Sequence, residues 1–477
     1  MKKVISLILI AVLLMGLCAC GASQEGSSAA EGTGVSNTGN TFRVGFARVD
    51  ATPKEPVPMS GYGNSMQRFS TGMYSYLYLN ILALDDGDET LLLLSLDYGW
   101  FQPVLASPIV DGIVKKYGIP EENILMQGTH THAAMDAALT EVTAVADTNS
   151  RTVERTLKAV GEALEDLKPA EIYVGTVETE NMNFVRRYIM DDGSLIGDNF
   201  PGTGTQIVAH ETEADNDLQL MKFVREGGKD ILVMNFQAHP QLETRSTNIS
   251  GQTPYFMRDA VEKRLGILTT YWQGAAGNIN SQSRIESEMR TTDRVEYGEL
   301  MADYVEEAYN SLEKVNSGDI EVTHELVELD INHSQDHLIS VATKVVNQWQ
   351  KTNSTAEGMK LAEGTEIRSV YHANAIITKA GAENSRKLEI AAFSFGDVGG
   401  VVVPYEMFDT SGMQIKADTP FEKTFIVGYA YPGYQGYIPT EEAWKNGGYE
   451  VETSNYAPGN AEKLVEAYLG MLNDLKG

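Results

Sequence analysis

Cysteine is nearly absent. The 477 residues hold two, Cys18 and Cys20, both inside the first twenty positions. Whatever folds after them has no disulfide and no thiolate metal site. Cationic side chains are also few, 37 Lys and Arg against 66 Asp and Glu, for a formal charge of −29. That balance argues against nucleic acid as a partner and against electrostatic docking on anionic lipid. Long apolar runs are missing except for Val4 to Leu17, and a bilayer core takes about 20 such residues. There is no internal repeat. Histidine is scarce as well, at eight, which makes the pair His130 and His132 conspicuous.

The apolar run follows Met1-Lys2-Lys3 and ends in Leu17-Cys18-Ala19-Cys20. A basic start, a short apolar stretch and small residues before a cut form a secretory signal. The last four residues look like a bacterial lipobox, with residues 1–19 removed and Cys20 lipidated. Cutting before Cys18 would place the bulky Leu17 at the cleavage position. An ordinary secretory signal is the alternative. Residues 20–41, rich in Gly, Ser and Ala, then form a flexible tether. The expectation is an exported lipoprotein anchored through Cys20 on the outer face of the bacterial cytoplasmic membrane, at the cell surface or in the periplasm. Residues 42–477 can bury a large core as one catalytic domain.

Along that domain, Phe42 to Ala47 alternates as a strand does. Tyr76–Leu84 and Glu89–Leu96 flank Asp85-Asp86-Gly87-Asp88, a hairpin signal. A helix is expected over Val104–Tyr117 and another over Arg151–Leu167, where Val153, Leu157, Val160 and Leu164 recur at helical spacing. Leu218–Phe223 and Ile231–Phe236 form a second hairpin, followed by a helix over Pro254–Leu265 and a strand over Ile267–Trp272. An acidic helix spans Asp293–Leu312. Beyond a strand region at Ile320–Ile331 and a helix at His337–Trp349, two long strands are expected at Ile367–Ile377 and Lys387–Phe395. A closing helix covers Ala461–Leu475. Hairpins are frequent among the alternating elements, so the fold class is α/β with mixed β-sheets flanked by helices.

Three apolar strands each run into a chemically capable residue. Ile124-Leu125-Met126-Gln127-Gly128 leads to His130 and His132, Ile231–Phe236 leads to His239, and Val401-Val402-Val403 leads to Glu406. Strand alternation would put His130 and His132 on one face, at the edge where open α/β sheets bind ligands. Two imidazoles and a carboxylate are a catalytic zinc set that keeps a position open for water or substrate. Taken singly, each is more often structural or exposed. Arg186-Arg187 reads as a solvated pair, and Asp97, at a strand end, as a turn residue or a group that orients a ligand histidine.

The ordered series Phe42-Arg43-Val44-Gly45 through Ala51-Thr52-Pro53, Gly61-Tyr62, Gly128-Thr129-His130-Thr131-His132, Asn235 to Pro240, Gly274 to Asn278, Pro404-Tyr405-Glu406 and Gly436 to Thr440 resembles the catalytic domain of the neutral/alkaline non-lysosomal ceramidases. The resemblance covers almost all of the chain after the tether. It implies one Zn2+ per chain, held by His130, His239, Glu406 and Tyr437. It also implies that His132, Arg186 or its neighbour Arg187, and Tyr449 face the substrate amide. Tyr449 lies twelve residues past Tyr437, the interval found in the family. Asn280 stands where the family has a serine, and Ala133-Ala134-Met135-Asp136 replaces its glycine-rich turn. The expectation is a catalytic domain without the family's C-terminal immunoglobulin-like domain.

The implied activity is hydrolysis of an amide in ceramide-like N-acyl compounds, with a small-molecule or lipid amide as substrate. A zinc hydrolase of another amide or ester is the near alternative. A surface solute-binding lipoprotein is the alternative of a different class.

Overall fold

The computed structural model describes residues 41–197 and 206–477. Residues 1–40 lie outside it, and with them the expected signal peptide, Cys20 and nearly all of the expected tether. Asn40–Gly477 forms a single unit. No helix among the described residues is long and apolar enough to cross a membrane.

Two sheets carry the fold. Their strands are β1 (Arg43–Asp50), β2 (Tyr78–Asp85), β3 (Thr90–Leu96), β4 (Ile124–Gly128), β5 (Lys168–Glu178), β6 (Asp217–Arg225), β7 (Ile231–Phe236), β8 (Leu268–Gln273), β9 (Glu313–Val315), β10 (Ile320–Asp330), β11 (Ser385–Phe395), β12 (Val398–Val402), β13 (Lys423–Val427) and β14 (Ala430–Tyr431). The large sheet runs β8-β7-β6-β5-β1-β2-β3-β4-β14, with β9 added on β5, and the smaller one runs β10-β11-β12-β13. Both mix parallel and antiparallel pairs: β3 with β4, β7 with β8 and β12 with β13 are parallel. The two expected hairpins are β2-β3 and β6-β7, antiparallel in register from Leu79↔Leu96 and Gln219↔Asn235.

The apolar runs explain the layering. In β3, Leu92, Leu94 and Leu96 face one way, into a core shared with α1 (Pro103–Tyr117) and α2 (Thr143–Glu165). Leu91 and Leu93 face the other way, into a core with Phe393, Phe395 and Phe425 of the smaller sheet. A strand buried on both faces needs no polar alternation, which is why Leu91–Leu94 reads as an unbroken hydrophobic stretch. Leu232, Met234 and Phe236 of β7 likewise pack on α3 (Gln252–Leu265) and α4 (Arg294–Tyr309). The far face of the smaller sheet is covered by the closing helix, Asn460–Lys476. The result is four layers: helix, sheet, sheet, helix.

The large sheet curls until β8 meets β3 and β4. No ladder closes that seam; side chains do. Ser95 Oγ donates to the Tyr271 carbonyl at 2.6 Å, and Gln127 Nε2 donates to the same oxygen at 2.9 Å. Gln127 Oε1 accepts the Gln273 backbone N–H at 3.1 Å. The C-terminal ends of β4 and β8 are thereby held together, and the loops that follow β4 and β7 meet.

Ile367–Ile377 is not a strand. Val370–Thr378 is a helix whose N-terminus is capped by the Ser369 side chain. Its Val370, Ala373 and Ile376 pack on the helix Ile339–Thr352. A hydroxyl cap and a helical partner outweigh the modest strand preference of Val and Ile.

Candidate metal centre

Strand β4 stops at Gly128, so alternation is not what pairs the two histidines of the Thr129–His132 segment. His130 takes a left-handed backbone, φ 63°, fixed by its N–H on the Tyr98 carbonyl at 3.0 Å. That turn brings the two imidazoles edge to face, centroids 4.7 Å apart. His239 enters from the loop after β7, and its Nε2 lies 3.1 Å from His130 Nε2. His132 Nε2 lies 3.1 Å from the same atom. The nitrogens of His130, His132 and His239 are within 4.8 Å of one another and can hold a metal ion.

The tautomers follow from what the other ring nitrogens touch. His130 Nδ1 meets the Gly99 carbonyl at 3.0 Å, and His239 Nδ1 meets the Ala276 and Ile279 carbonyls at 2.7 and 3.1 Å. Carbonyls only accept, so both Nδ1 atoms carry the proton and both Nε2 atoms present lone pairs. Burial drives the His130 imidazolium down to about 3 and that of His239 well below its usual range, because a desolvated ring resists charge. Two lone pairs therefore face each other across 3.1 Å. Glu406 adds a carboxylate: its Oε2 is 3.1 Å from His239 Nε2 and 3.7 Å from His130 Nε2. That oxygen is buried and accepts no hydrogen bond. Two imidazole nitrogens and a carboxylate oxygen converging in this way fit a cation.

His132 is built differently. Its Nδ1 receives the Gln241 amide at 2.9 Å, and Tyr62 donates its hydroxyl to Gln241 Oε1 at 3.0 Å. This chain assigns Nδ1 as acceptor and leaves the His132 proton on Nε2.

Glu406 and Tyr437 are register partners in a short parallel pairing, Glu406–Met407 with Tyr437–Ile438. The Tyr437 hydroxyl receives Arg186 Nη2 at 2.8 Å, whereas the hydroxyl bonded to Glu406 Oε1 is that of Tyr434. Burial raises the Tyr437 phenol well above its ordinary range, partly offset by Arg186. Tyr449 packs its ring on Tyr437, centroids 5.7 Å apart. The paired arginines are not solvated. Arg186 is 3% exposed and Arg187 0%, each held by Glu450 at 2.9 and 3.0 Å. Arg187 is turned away to Glu211, while Arg186 also reaches Asn280 Oδ1 at 3.5 Å and the Gly277 carbonyl at 2.8 Å. Asp97 orients no histidine. Its carboxylate is engaged by Arg258 at 3.0 and 2.5 Å and by the Tyr78 N–H.

A cavity of about 830 Å³ opens on this cluster, lined by His132, Arg186, Asn280, Tyr437 and Tyr449 among others. His130, His239 and Glu406 lie behind that lining. Gln241, Tyr434 and Glu450 went unmarked in the sequence, although each sits within three residues of a marked one. Amides and tyrosines have no ligand signature of their own, so proximity was the one available signal.

The sequence model of the family described as "Neutral/alkaline non-lysosomal ceramidase, N-terminal" matches residues 42–253. The matched segment is 212 of the 477 residues. It contains His130, His132 and His239. The fold of the chain is also that of solved structures. "Ceramidase complexed with C2" superposes with TM-score 0.69 at 17% identity, covering 92% of this chain and 75% of that one. The neutral ceramidase from Pseudomonas aeruginosa gives 0.68 at 16% identity over the same shares.

Proposed function

We propose that this chain is a zinc-dependent amidohydrolase that cleaves N-acyl compounds of the ceramide type. The observation that carries the reading is the meeting of the His130 and His239 Nε2 lone pairs with the unpartnered Glu406 Oε2. His130, His239 and Glu406 would hold the ion, and Tyr437 is the fourth ligand by resemblance. Zinc in such a set supplies Lewis acidity toward a carbonyl and lowers the pKa of water toward about 7.

The chain's own residues account for the rest. Arg186, fixed by Glu450 and the Gly277 carbonyl, presents a rigid positive charge from the cavity wall for the oxygen that becomes negative as the amide carbon turns tetrahedral. Glu450 holds the orientation of that guanidinium. His132, neutral with its proton on Nε2, donates a hydrogen bond from the cavity wall toward the substrate amide. Gln241 and Tyr62 hold it in that tautomer. Tyr449 borders the acyl or amine portion. Burial lowers the His132 imidazolium, and the neighbouring His130 and His239 lower it further, so the ring stays neutral beside the metal ligands.

The test is metal content measured with activity. Purified protein should carry about one zinc per chain and hydrolyse a short-chain N-acyl sphingosine or a simpler N-acyl amine. His130→Ala and Glu406→Ala should lose metal and activity together. Full activity in a zinc-free His130→Ala protein would overturn the assignment. We also propose the Cys20 lipid anchor and export, which rest on the sequence of residues 1–41.

A further inference from the structure

The groups that converge on the metal centre are not oriented in the same way. His130 and His239 rest their Nδ1 atoms on backbone carbonyls, which side-chain substitution leaves in place. Glu406 is oriented by a side chain. Its Oε1 accepts the Tyr434 hydroxyl. Its Oε2, without a hydrogen-bond partner among the described residues, lies 3.1 Å from His239 Nε2 and 3.7 Å from His130 Nε2. The carboxylate thus has one oxygen tied and one left for the ion.

Tyr434 is itself held on two sides. It lies in the loop Gly433-Tyr434-Gln435-Gly436, whose end glycines take left-handed backbones, φ 82° and 71°, a conformation glycine adopts without a Cβ penalty. The Gln435 N–H donates to the Pro404 carbonyl at 2.9 Å, and the Glu406 N–H donates to the Gly436 carbonyl at 2.8 Å. Loop and ligand are pinned alongside each other. The Tyr434 ring lies flat on Trp100, centroids 4.8 Å apart and planes 11° off parallel. Trp100 ends the segment Tyr98-Gly99-Trp100. The Tyr98 carbonyl receives the His130 N–H at 3.0 Å, and the Gly99 carbonyl receives its Nδ1 proton at 3.0 Å. One short stretch after β3 therefore sets His130 directly and Glu406 through Tyr434.

A glutamate carboxylate turns easily about its last torsion and can hold a cation through one oxygen or both. A hydrogen bond that occupies Oε1 removes that choice. Catalytic zinc sites keep a position open for water or substrate, and a second carboxylate oxygen would fill it. We infer that Tyr434 is a positioning residue of the metal centre, restricting Glu406 to Oε2 as its single ligating atom and so keeping that position open. The inference rests on the proposed metal centre and goes beyond it by assigning a task to a residue outside the ligand set.

Tyr434→Phe removes the hydroxyl and keeps the ring on Trp100. Zinc affinity is measured against a competing chelator for wild type and variant, each shown to be folded by circular dichroism. The variant should bind zinc about 10- to 100-fold more weakly, the usual effect of losing a supporting hydrogen bond behind a metal ligand. Loading with cobalt(II) gives a second readout, because its visible absorption reports coordination geometry. The bands of the variant should weaken relative to wild type as the released carboxylate adds its second oxygen. A hydroxyl that only satisfies a buried carboxylate would lower the melting temperature in EDTA and leave affinity and spectrum alone. That result overturns the inference while the metal centre stands, and so does an unchanged cobalt spectrum. If wild type takes up neither zinc nor cobalt, the metal centre itself falls, and the task of Tyr434 with it.

Discussion

Replacing Asp97 with Asn tests the reassignment of that residue from the metal centre to the scaffold. Asp97 and Arg258 are 0% and 2% exposed in their side chains, joined by two hydrogen bonds of 3.0 and 2.5 Å. The carboxylate also accepts the Tyr78 N–H at 2.9 Å. Asn keeps an acceptor for that N–H but leaves the guanidinium buried without a counter-charge. Removing one partner of a buried pair costs about 3–5 kcal/mol. Unfolding entropy of ~2.1 cal/mol/K per residue, taken over Asn40–Gly477, amounts to roughly 0.9 kcal/mol per kelvin. The melting temperature should therefore fall by about 3–5 °C. Measured by circular dichroism in EDTA, the change reports on the scaffold with no contribution from metal. Adding Arg258→Met removes the stranded charge and should recover at least half of the loss. A single variant within about 1 °C of the parent, or a double variant no better than the single, would refute the argument.

Three other outcomes are expected. In the metal-free protein, His130 is held down to about 3 by burial, so protonation favours the unfolded chain. Its contribution to stability is complete above about 6.5 and is lost as pH falls from there toward 3, on the order of 3 kcal/mol by pH 4.5. Urea midpoints should show wild type losing its margin over His130→Gln across that window, and a constant difference would contradict the assignment. Gln241→Leu frees His132 Nδ1 and should lower kcat by about 10- to 100-fold with KM little changed; an unchanged kcat would show that the amide does not hold the proton. Cys20→Ala, expressed in a bacterium, should move the protein from the membrane fraction to the soluble exported fraction. Retention on the membrane would exclude the lipid anchor.

The strands were legible where burial on both faces writes an unbroken apolar run, as in Leu91–Leu94 and Ile231–Met234, and where Asp85-Asp86-Gly87-Asp88 marks a turn. The helix at Val370–Thr378 was misread because Val and Ile suit either state, and its deciding partners lie on another helix. His130, His132, His239 and Glu406 could be named because each follows such a run. Their convergence could not be, since it depends on a sheet that curls shut through Ser95, Gln127 and Tyr271. The buried state of Arg186 and Arg187 was equally hidden. Glu450, which neutralises both, lies more than 260 residues further along the chain.

The left-handed backbone at His130 has a cost of its own. A residue with a Cβ held at φ 63° stores about 1–3 kcal/mol of conformational strain. The imidazole offsets it by stacking on the Tyr429 ring, centroids 4.0 Å apart, and by donating from Nδ1 to the Gly99 carbonyl at 3.0 Å. Glycine or asparagine would accept the same turn with less strain, but neither restores that stacking. His130→Gly therefore exchanges relief of the backbone for a void beside Tyr429, and the shape of this turn rests on a side chain as much as on its backbone.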